Sequence, residues 1–389
     1  MKIVFCLLSD QGHINPYIGP AQALLDRGHD VTVISAGNLE GQMKKAGIPF
    51  CGKLVQADQG SPRGRSLVEM IENRALHRSI IQTFFLKGIK EQVPLVQKWL
   101  KVHQPDVVVA DPMNYAAIIA AHNLKLPWVS MSSSLTSVIP DDLQSDVLDI
   151  VRSLDHDRQQ LFQSLGAESL RFRAVDCLSP WLNITFATKS FIKSPPAGVQ
   201  LVGPSVPLRD RGDSAGTYSP VDGLTTIYVS FGSQVFYYPE LFKKITAAVQ
   251  DLPVHLEISI GDLIDEPGWK NTSQCRFYRY APQLDILPQA SLFITHGGAN
   301  SIMEGLRAGT PLLVFPICND QAHQAYFVEK SGTGQSINLR TAMIPEIRKA
   351  IIDMLENHEL HQQVKAVAQD YQQNGSIKAA QLIEETMAI

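Results

Sequence analysis

Cysteine is scarce in this 389-residue chain, and the five present (Cys6, Cys51, Cys177, Cys275 and Cys318) are odd in number and share no metal-ligand spacing. That usage fits a reducing compartment and offers neither a disulfide framework nor a zinc site. Long hydrophobic runs are missing as well. No stretch approaches the roughly 20 apolar residues that a membrane helix needs, so no integral membrane segment is expected. The opening run from Met1 to Ser9 is apolar but too short for a secretory signal, and the expectation is a cytoplasmic protein. Nor does one charge dominate: 34 Lys and Arg are interspersed with 38 Asp and Glu, without the basic stripe that marks a nucleic-acid partner. No internal repeat or low-complexity tract stands out.

What the chain does have is length and alternation. At 389 residues it suits two domains of nearly equal size. Apolar runs of strand character at 3–8, 31–35, 106–110 and 128–131 alternate with helical stretches, and so do those at 225–230, 254–260, 275–280, 291–295, 310–315 and 335–339. This is the pattern of an α/β protein with parallel sheets. Residues 53–100 and 138–175 read as helical and less patterned. Val202–Pro207 and the polar Arg209-Asp-Arg-Gly-Asp-Ser-Ala-Gly216 mark a boundary. It divides the chain into a first domain at 1–207, a linker at 208–223, a second domain at 224–375 and a last helix within 376–389.

The most informative stretch is Phe293-Ile-Thr-His-Gly-Gly-Ala-Asn-Ser-Ile-Met-Glu304. A strand ends at Thr295, His296-Gly297-Gly298 turns the chain, and Ala299 to Ala308 reads as a helix. The first amides of such a helix lack partners within it and attract an anion. The dipole alone contributes only about 0.3–2 kcal/mol, so a phosphate needs further donors. His296, Asn300 and Ser301 are at hand. Ser301-x-x-Glu304 reads about as well as a capping box, in which the helix satisfies its own amides. Beyond it, a strand at 310–315 leads to Asn319-Asp320-Gln321, and ligands of open α/β sheets sit at the carboxyl ends of strands.

The first half offers a second cluster. Ser9-Asp-Gln-Gly-His-Ile-Asn15 joins the first strand to a helix expected at 16–27, which places His13 in a loop at a strand end. By position alone, a lone loop histidine is more often solvated than functional. Asp111 closes the apolar strand 106–110 and also suits a cap for a helix at 113–122. Ser233, in the turn Phe231-Gly-Ser233, reads first as an ordinary serine cap.

Together, Ala281-Pro-Gln283, Thr295-His-Gly-Gly-Ala-Asn-Ser-Ile-Met-Glu304 and Asp320-Gln321 resemble the donor-binding signature of the family 1, UDP-dependent glycosyltransferases. The likeness runs in order over roughly forty residues, far more than a lone short motif. It implies the GT-B fold, two Rossmann-like domains with parallel sheets facing a central cleft. It also implies an inverting enzyme that uses a UDP-sugar as donor and needs no metal or other cofactor. By this resemblance His296 and Ser301 hold the diphosphate, with Asn300, Gly298 and Ser233 beside them. Glu304 takes the ribose hydroxyls, Asp320 and Gln321 the sugar hydroxyls, and Gln283 the nucleoside side. Tyr280, next to Ala281, stands where plant members stack a tryptophan on uracil, and His-Gly-Gly-Ala-Asn is closer to bacterial members. Gly12-His13-x-x-Pro16 resembles the family's N-terminal motif, whose histidine is the catalytic base, and Asp111 would orient it.

The partners implied are a nucleotide-sugar donor and a small hydrophobic acceptor, in a monomer or weak dimer that binds no nucleic acid. The Asp-Gln pair suggests glucose. Three other readings stay open: a natural-product enzyme using dTDP-deoxysugars, a UDP-sugar 2-epimerase on the same fold, and an inactive nucleotide-sugar-binding protein. Several motifs are set aside. Asp155-His-Asp157 lies in a helical polar run and not at a strand end, and His358-Glu-Leu-His361 lacks the zinc-hydrolase spacing. Asn183-Ile-Thr and Asn271-Thr-Ser are sequons without meaning in a cytoplasmic protein, and Arg211-Gly-Asp213 is a chance match in a linker.

Overall fold

Two parallel sheets, each wound outward from its middle, organise the chain. The computed structural model describes residues 1–35, 37–53, 62–209 and 218–388, so Arg211-Gly-Asp213 and the middle of the expected linker lie outside the described residues. The first half opens with β1 (Lys2–Leu7), α1 (Gln11–Asp26), β2 (Asp30–Ser35), α2 (Glu40–Ala46) and β3 (Phe50–Lys53). Three helices follow, α3 (Arg65–Glu72), α4 (Arg74–Leu86) and α5 (Ile89–His103), before β4 (Val107–Ala110), α6 (Tyr115–Asn123) and β5 (Trp128–Ser132). Then come α7 (Asp146–Ser153), α8 (Asp155–Ser164), the hairpin β6 (Arg171–Arg173) and β7 (Asp176–Leu178), and finally β8 (Leu182–Thr185) and β9 (Val199–Leu201).

The second half runs β10 (Thr225–Ser230), α9 (Pro239–Ala248), β11 (Val254–Ser259), β12 (Cys275–Tyr278), α10 (Gln283–Ile286), β13 (Leu292–Thr295) and α11 (Ala299–Ala308). It continues with β14 (Leu312–Val314), α12 (Gln321–Ser331), β15 (Gly334–Ser336), α13 (Ile344–Glu356), α14 (His358–Asp370) and α15 (Gly375–Met387). The sheet orders are β3-β2-β1-β4-β5-β8-β9 and β12-β11-β10-β13-β14-β15. Both are parallel throughout. Central strands of such sheets are covered on both faces, which is why Val107-Val-Val-Ala110 is buried without alternation.

Each sheet reverses direction once, between β1 and β4 and again between β10 and β13. Cys6 lies opposite Ala110, so the segments after β1 and β4 emerge side by side. Ser230 lies opposite Thr295 in the same way. These two reversal points position everything that follows, because a crevice opens where neighbouring strands send their connections to opposite faces.

Three features depart from the expectations. Helix α1 starts at Gln11 rather than 16, and Pro16 and Pro20 sit inside it. Pro20 has no N–H for the Pro16 carbonyl, and Ser205 Oγ donates to that carbonyl instead at 2.7 Å, which makes the helix tolerable. Strands β8 and β9 were not expected. β8 reads Leu-Asn-Ile-Thr, and its buried Asn183 accepts from the Ser179 amide at 2.7 Å and donates to the Ser179 carbonyl at 2.8 Å. Such local polar bonding hides a short strand from any hydrophobic pattern. The hairpin β6–β7 likewise interrupts the stretch read as helical up to residue 175.

The last helix, α15, packs along α1. There Glu384 accepts from Arg27 Nε at 2.8 Å and meets His29 Nε2 at 2.6 Å. The Arg27 hydrogen bond first, and His29 after it, hold the Glu384 carboxyl down at about 2. Asp155 opens α8 and pairs with Arg158 at 2.7 Å, while Asp157, two residues on, is exposed. Among the described residues no helix is long and apolar enough to cross a membrane.

Candidate active site

His13 stands in the first turn of α1, above the reversal point of the first sheet, and Asp111 follows β4 beside it. His13 Nδ1 lies 2.8 Å from Asp111 Oδ2. The hydroxyls of Tyr17 and Ser133 donate to the same oxygen, each at 3.0 Å, and Ser133 Oγ is also 2.9 Å from His13 Nδ1. The Met113 amide donates to Asp111 Oδ1 at 2.9 Å. Asp111 is fully buried, and it is Asn114 whose side chain caps α6. A carboxylate can only accept, so the proton facing it sits on Nδ1. Nε2, the other ring nitrogen, makes no hydrogen bond among the described residues.

The charges reinforce one another. Burial works against a charged His13, but the Asp111 carboxylate and its hydrogen bond outweigh that and push the imidazole up to about 9. Burial likewise opposes ionisation of Asp111, yet the His13 charge and the surrounding donors hold its carboxyl below the usual value. Behind the pair lies Asp176, fully buried, accepting from Ser132 Oγ at 2.9 Å. Burial first, and the neighbouring Asp111 charge second, push it up to about 8. It is therefore largely neutral near pH 7, leaving Asp111 as the ionised partner.

In the second sheet, the segments after β10 and β13 meet at the other reversal point. Gly297 has φ +88°, in the left-handed region that favours glycine, and Gly298 stands at the N-cap of α11 with no side chain capping the helix. The capping box is absent: Ser301 is the third helical residue, and the first intrahelical bond is Ile302 N–H to the Gly298 carbonyl at 3.0 Å. The amides of Ala299, Asn300 and Ser301 thus form the open helix end that binds anions. His296 is wedged between two glycines. A Cβ on Gly232 would come within 2.8 Å of its ring, and one on Gly298 within 2.5 Å of its Nε2. Burial, partly offset by a hydrogen bond to the Ser230 backbone, drops the imidazole to about 4. His296 is neutral near pH 7 and acts as a dipole, not as a cation.

Elsewhere in the second half, Gln283 begins α10 and donates through Nε2 to Glu304 Oε2 at 2.6 Å. Tyr280 is half-exposed at the end of β12, with Ala281 buried beside it. Ser233 is exposed in the turn after β10. Asp320 stands at the N-cap of α12. Gln321 is more constrained than its sequence position suggested: its Oε1 accepts from the Ile317 amide at 2.8 Å and the Cys318 amide at 3.0 Å, and its Nε2 donates to Cys318 Sγ at 3.7 Å, which leaves one N–H for a ligand.

All eleven expected donor residues, Ser233, Tyr280, Ala281, Gln283, His296, Gly298, Asn300, Ser301, Glu304, Asp320 and Gln321, line one cavity of about 700 Å³, and His13 lines it too. The first-domain part of that wall carries Ile71, Ile80, Phe84, Phe85, Leu148 and Val151. It is an apolar pocket facing a polar one. Sequence reading missed Tyr17, Ser133 and Asp176. Tyr17 follows His13 by one helical turn and was findable once α1 starts at Gln11. Ser133 follows β5, the strand next to β4, in a serine-rich loop that carries no motif of its own. Nothing in the sequence signals Asp176.

Comparison with known proteins agrees with this architecture. Residues 11–130 match the family model described as the glycosyltransferase family 28 N-terminal domain, and residues 217–371 match that of the UDP-glucoronosyl and UDP-glucosyl transferases. The chain is 26% identical to the NDP-glycosyltransferase YjiC of Bacillus subtilis (strain 168) over 382 residues, covering 97% of this chain and 95% of that protein. It is 24% identical to the oleandomycin glycosyltransferase of Streptomyces antibioticus, with 97% and 89% covered. The crystal structure of the glycotransferase of kitacinnamycin superposes with a TM-score of 0.78 at 21% identity, over 99% of this chain and 98% of that one, and it shares the fold. With glycosyltransferase models matched in order along both halves, and glycosyltransferases following nearly its whole length, the chain is a glycosyltransferase of family 1 type with the GT-B fold.

Proposed function

We propose that the enzyme moves a hexose, glucose first among them, from a UDP-sugar to a hydroxyl of a small, largely apolar acceptor, with inversion and without a metal ion. One observation carries this reading: His13, backed by the buried Asp111, and the uncapped start of α11 face the same cavity, one from each domain. His13 Nε2 takes the acceptor proton as the acceptor oxygen forms its bond to the anomeric carbon. The bond from that carbon to the diphosphate breaks on the opposite face, so an α-linked donor gives a β-glycoside. Asp111 holds the imidazolium through Nδ1, and the α11 amides with His296 receive the charge that gathers on the departing UDP. The apolar wall suits an acceptor such as a macrolide, flavonoid or sterol. The name of the oleandomycin enzyme supports the first of these.

A general base must be neutral to take a proton. With its imidazole pushed up to about 9, the unliganded enzyme holds the protonated form at neutral pH. Only about one molecule in a hundred would then be ready to act as base at pH 7. Because the base must lose its proton first, kcat/KM for the acceptor should climb about tenfold per unit between pH 7 and 8 and level off above about 9. Asp111→Asn should move that limb to lower pH while slowing the plateau. A wild-type limb centred at the ordinary histidine value would show that the ion pair does not control the base.

The reading is tested by incubating the enzyme with UDP-glucose and a panel of apolar alcohols and phenols, with and without EDTA, and weighing the products. A mass gain of one hexose that is unchanged by the chelator is expected. Transfer that stops in EDTA and returns with a divalent cation would refute the metal-free step. Interconversion of UDP-N-acetylhexosamines without any acceptor would favour an epimerase.

A further inference from the structure

Tyr17 follows His13 by one turn of α1 and is only 1% exposed; unlike His13, it does not line the cavity. Its ring meets Phe5 of β1 edge to face, 6.5 Å between centroids and 89° between planes, and this packing fixes where the hydroxyl sits. The hydroxyl reaches two acceptors, Asp111 Oδ2 at 3.0 Å and the Met131 carbonyl of β5. A phenol has one hydrogen and can point it fully at one of them at a time. Burial first, and the Asp111 charge after it, push the phenol well above its ordinary value, so it remains a donor at every working pH.

Which acceptor gains more depends on His13. While the ring is an imidazolium, the Asp111 charge is already compensated and a further donor adds little. Once Nε2 has lost its proton, the buried carboxylate keeps only neutral donors, and each of them is worth more. A donor that stabilises the neutral-ring state more than the charged one draws the proton equilibrium toward it. We propose that Tyr17 is a positioning residue for the base: its hydroxyl turns from the Met131 carbonyl to Asp111 as His13 gives up its Nε2 proton, and so makes the free base available nearer neutral pH. The proposal rests on the reading of His13 as the general base. The phenol keeps its own hydrogen throughout. The other charged groups facing the pair are carboxyls: Asp10 before α1, Asp320 at the N-cap of α12, and Asp176 behind Asp111. Asp111, Asp10 and Asp320 all favour the protonated ring, and Tyr17 works against them. Ser133 donates to the same oxygen, but it lines the cavity, where an acceptor would disturb it.

The test follows the His13 ring and the reaction separately. The ring is titrated by NMR in enzyme carrying 13C-labelled histidine, its signal among the 11 histidines assigned by its loss in His13→Ala. The reaction is followed as kcat/KM against pH with UDP-glucose and an acceptor that the enzyme glycosylates. In Tyr17→Phe both midpoints should rise by about half a unit to one unit, with the high-pH plateau kept. At pH 7 that shift reads as a rate about three- to tenfold lower. The 3-fluoro analogue of tyrosine placed at position 17 is a stronger donor and should move both midpoints the other way; if Tyr17→Phe does not fold, this arm decides alone. A plateau that falls while both midpoints stay fixed would mean that Tyr17 only supports the fold, and the proposal would be wrong. If the ring midpoint moves and the kinetic limb does not, Tyr17 tunes the ring as proposed and the reading of His13 as the base fails.

Discussion

His13→Ala should lower turnover of acceptor by about 10²–10⁴-fold, the usual contribution of a positioned general base. Affinity for UDP should barely change, because the residues proposed to grip the nucleotide belong to the second sheet and its loops and share only the cavity with His13. The substitution leaves Asp111 without its cationic partner, though Tyr17, Ser133 and the Met113 amide still donate to it. The carboxyl can also take up a proton, so the buried group is not stranded as a bare charge. Asp111 acts through the imidazole, so the double variant His13→Ala/Asp111→Asn should be scarcely slower than His13→Ala alone. Product mass spectrometry gives the rates and calorimetry the UDP affinity. A variant that transfers sugar at the parental rate, or two losses that simply add, would remove His13 as the base.

The strands and the donor loop were legible for a physical reason. Val107-Val-Val-Ala110 is a continuous apolar run and Thr225-Thr-Ile-Tyr-Val-Ser230 a β-branched and aromatic one, both suited to a doubly covered sheet, and they fall where expected. Helix α11 keeps the boundaries read from its sequence because Gly298 opens it and Gly309, with φ +74°, closes it. What stayed hidden depends on tertiary contacts. The run of α1 through Pro20 depends on Ser205, nearly two hundred residues away, which satisfies the carbonyl that Pro20 orphans. The capping box at Ser301 and Glu304 failed because Gly298 occupies the cap position and Gln283, from α10, takes Glu304. Gln321 looked like a sugar ligand by position, yet its oxygen braces the turn at Ile317 and Cys318. Local pattern fixes where a strand or helix runs; which polar atom remains free for a ligand is decided by neighbours distant in sequence.

The second large effect is expected at Gly298. Its backbone angles, φ −61° and ψ 141°, suit any residue, so Gly298→Ala would act through the added methyl alone. That methyl would lie 2.5 Å from His296 Nε2, in a slot so narrow that a Cβ on Gly232 would also come within 2.8 Å of the ring. Either the imidazole leaves its slot or the first turn of α11 shifts, and in both cases the amides move from where a diphosphate would sit. Overpacking of this kind costs about 1–3 kcal/mol of fold stability, and losing hydrogen bonds to a charged phosphate, about 1.5–3 kcal/mol, should make UDP affinity roughly 10- to 150-fold weaker. A second substitution separates the two consequences. His296→Ala in the Gly298→Ala background removes the collision and should restore the melting temperature, yet UDP affinity should stay low because a donor near the phosphates is gone. If Gly298→Ala binds UDP as tightly as the parent, the diphosphate does not sit at this turn, and the donor site would have to be sought elsewhere along the cavity.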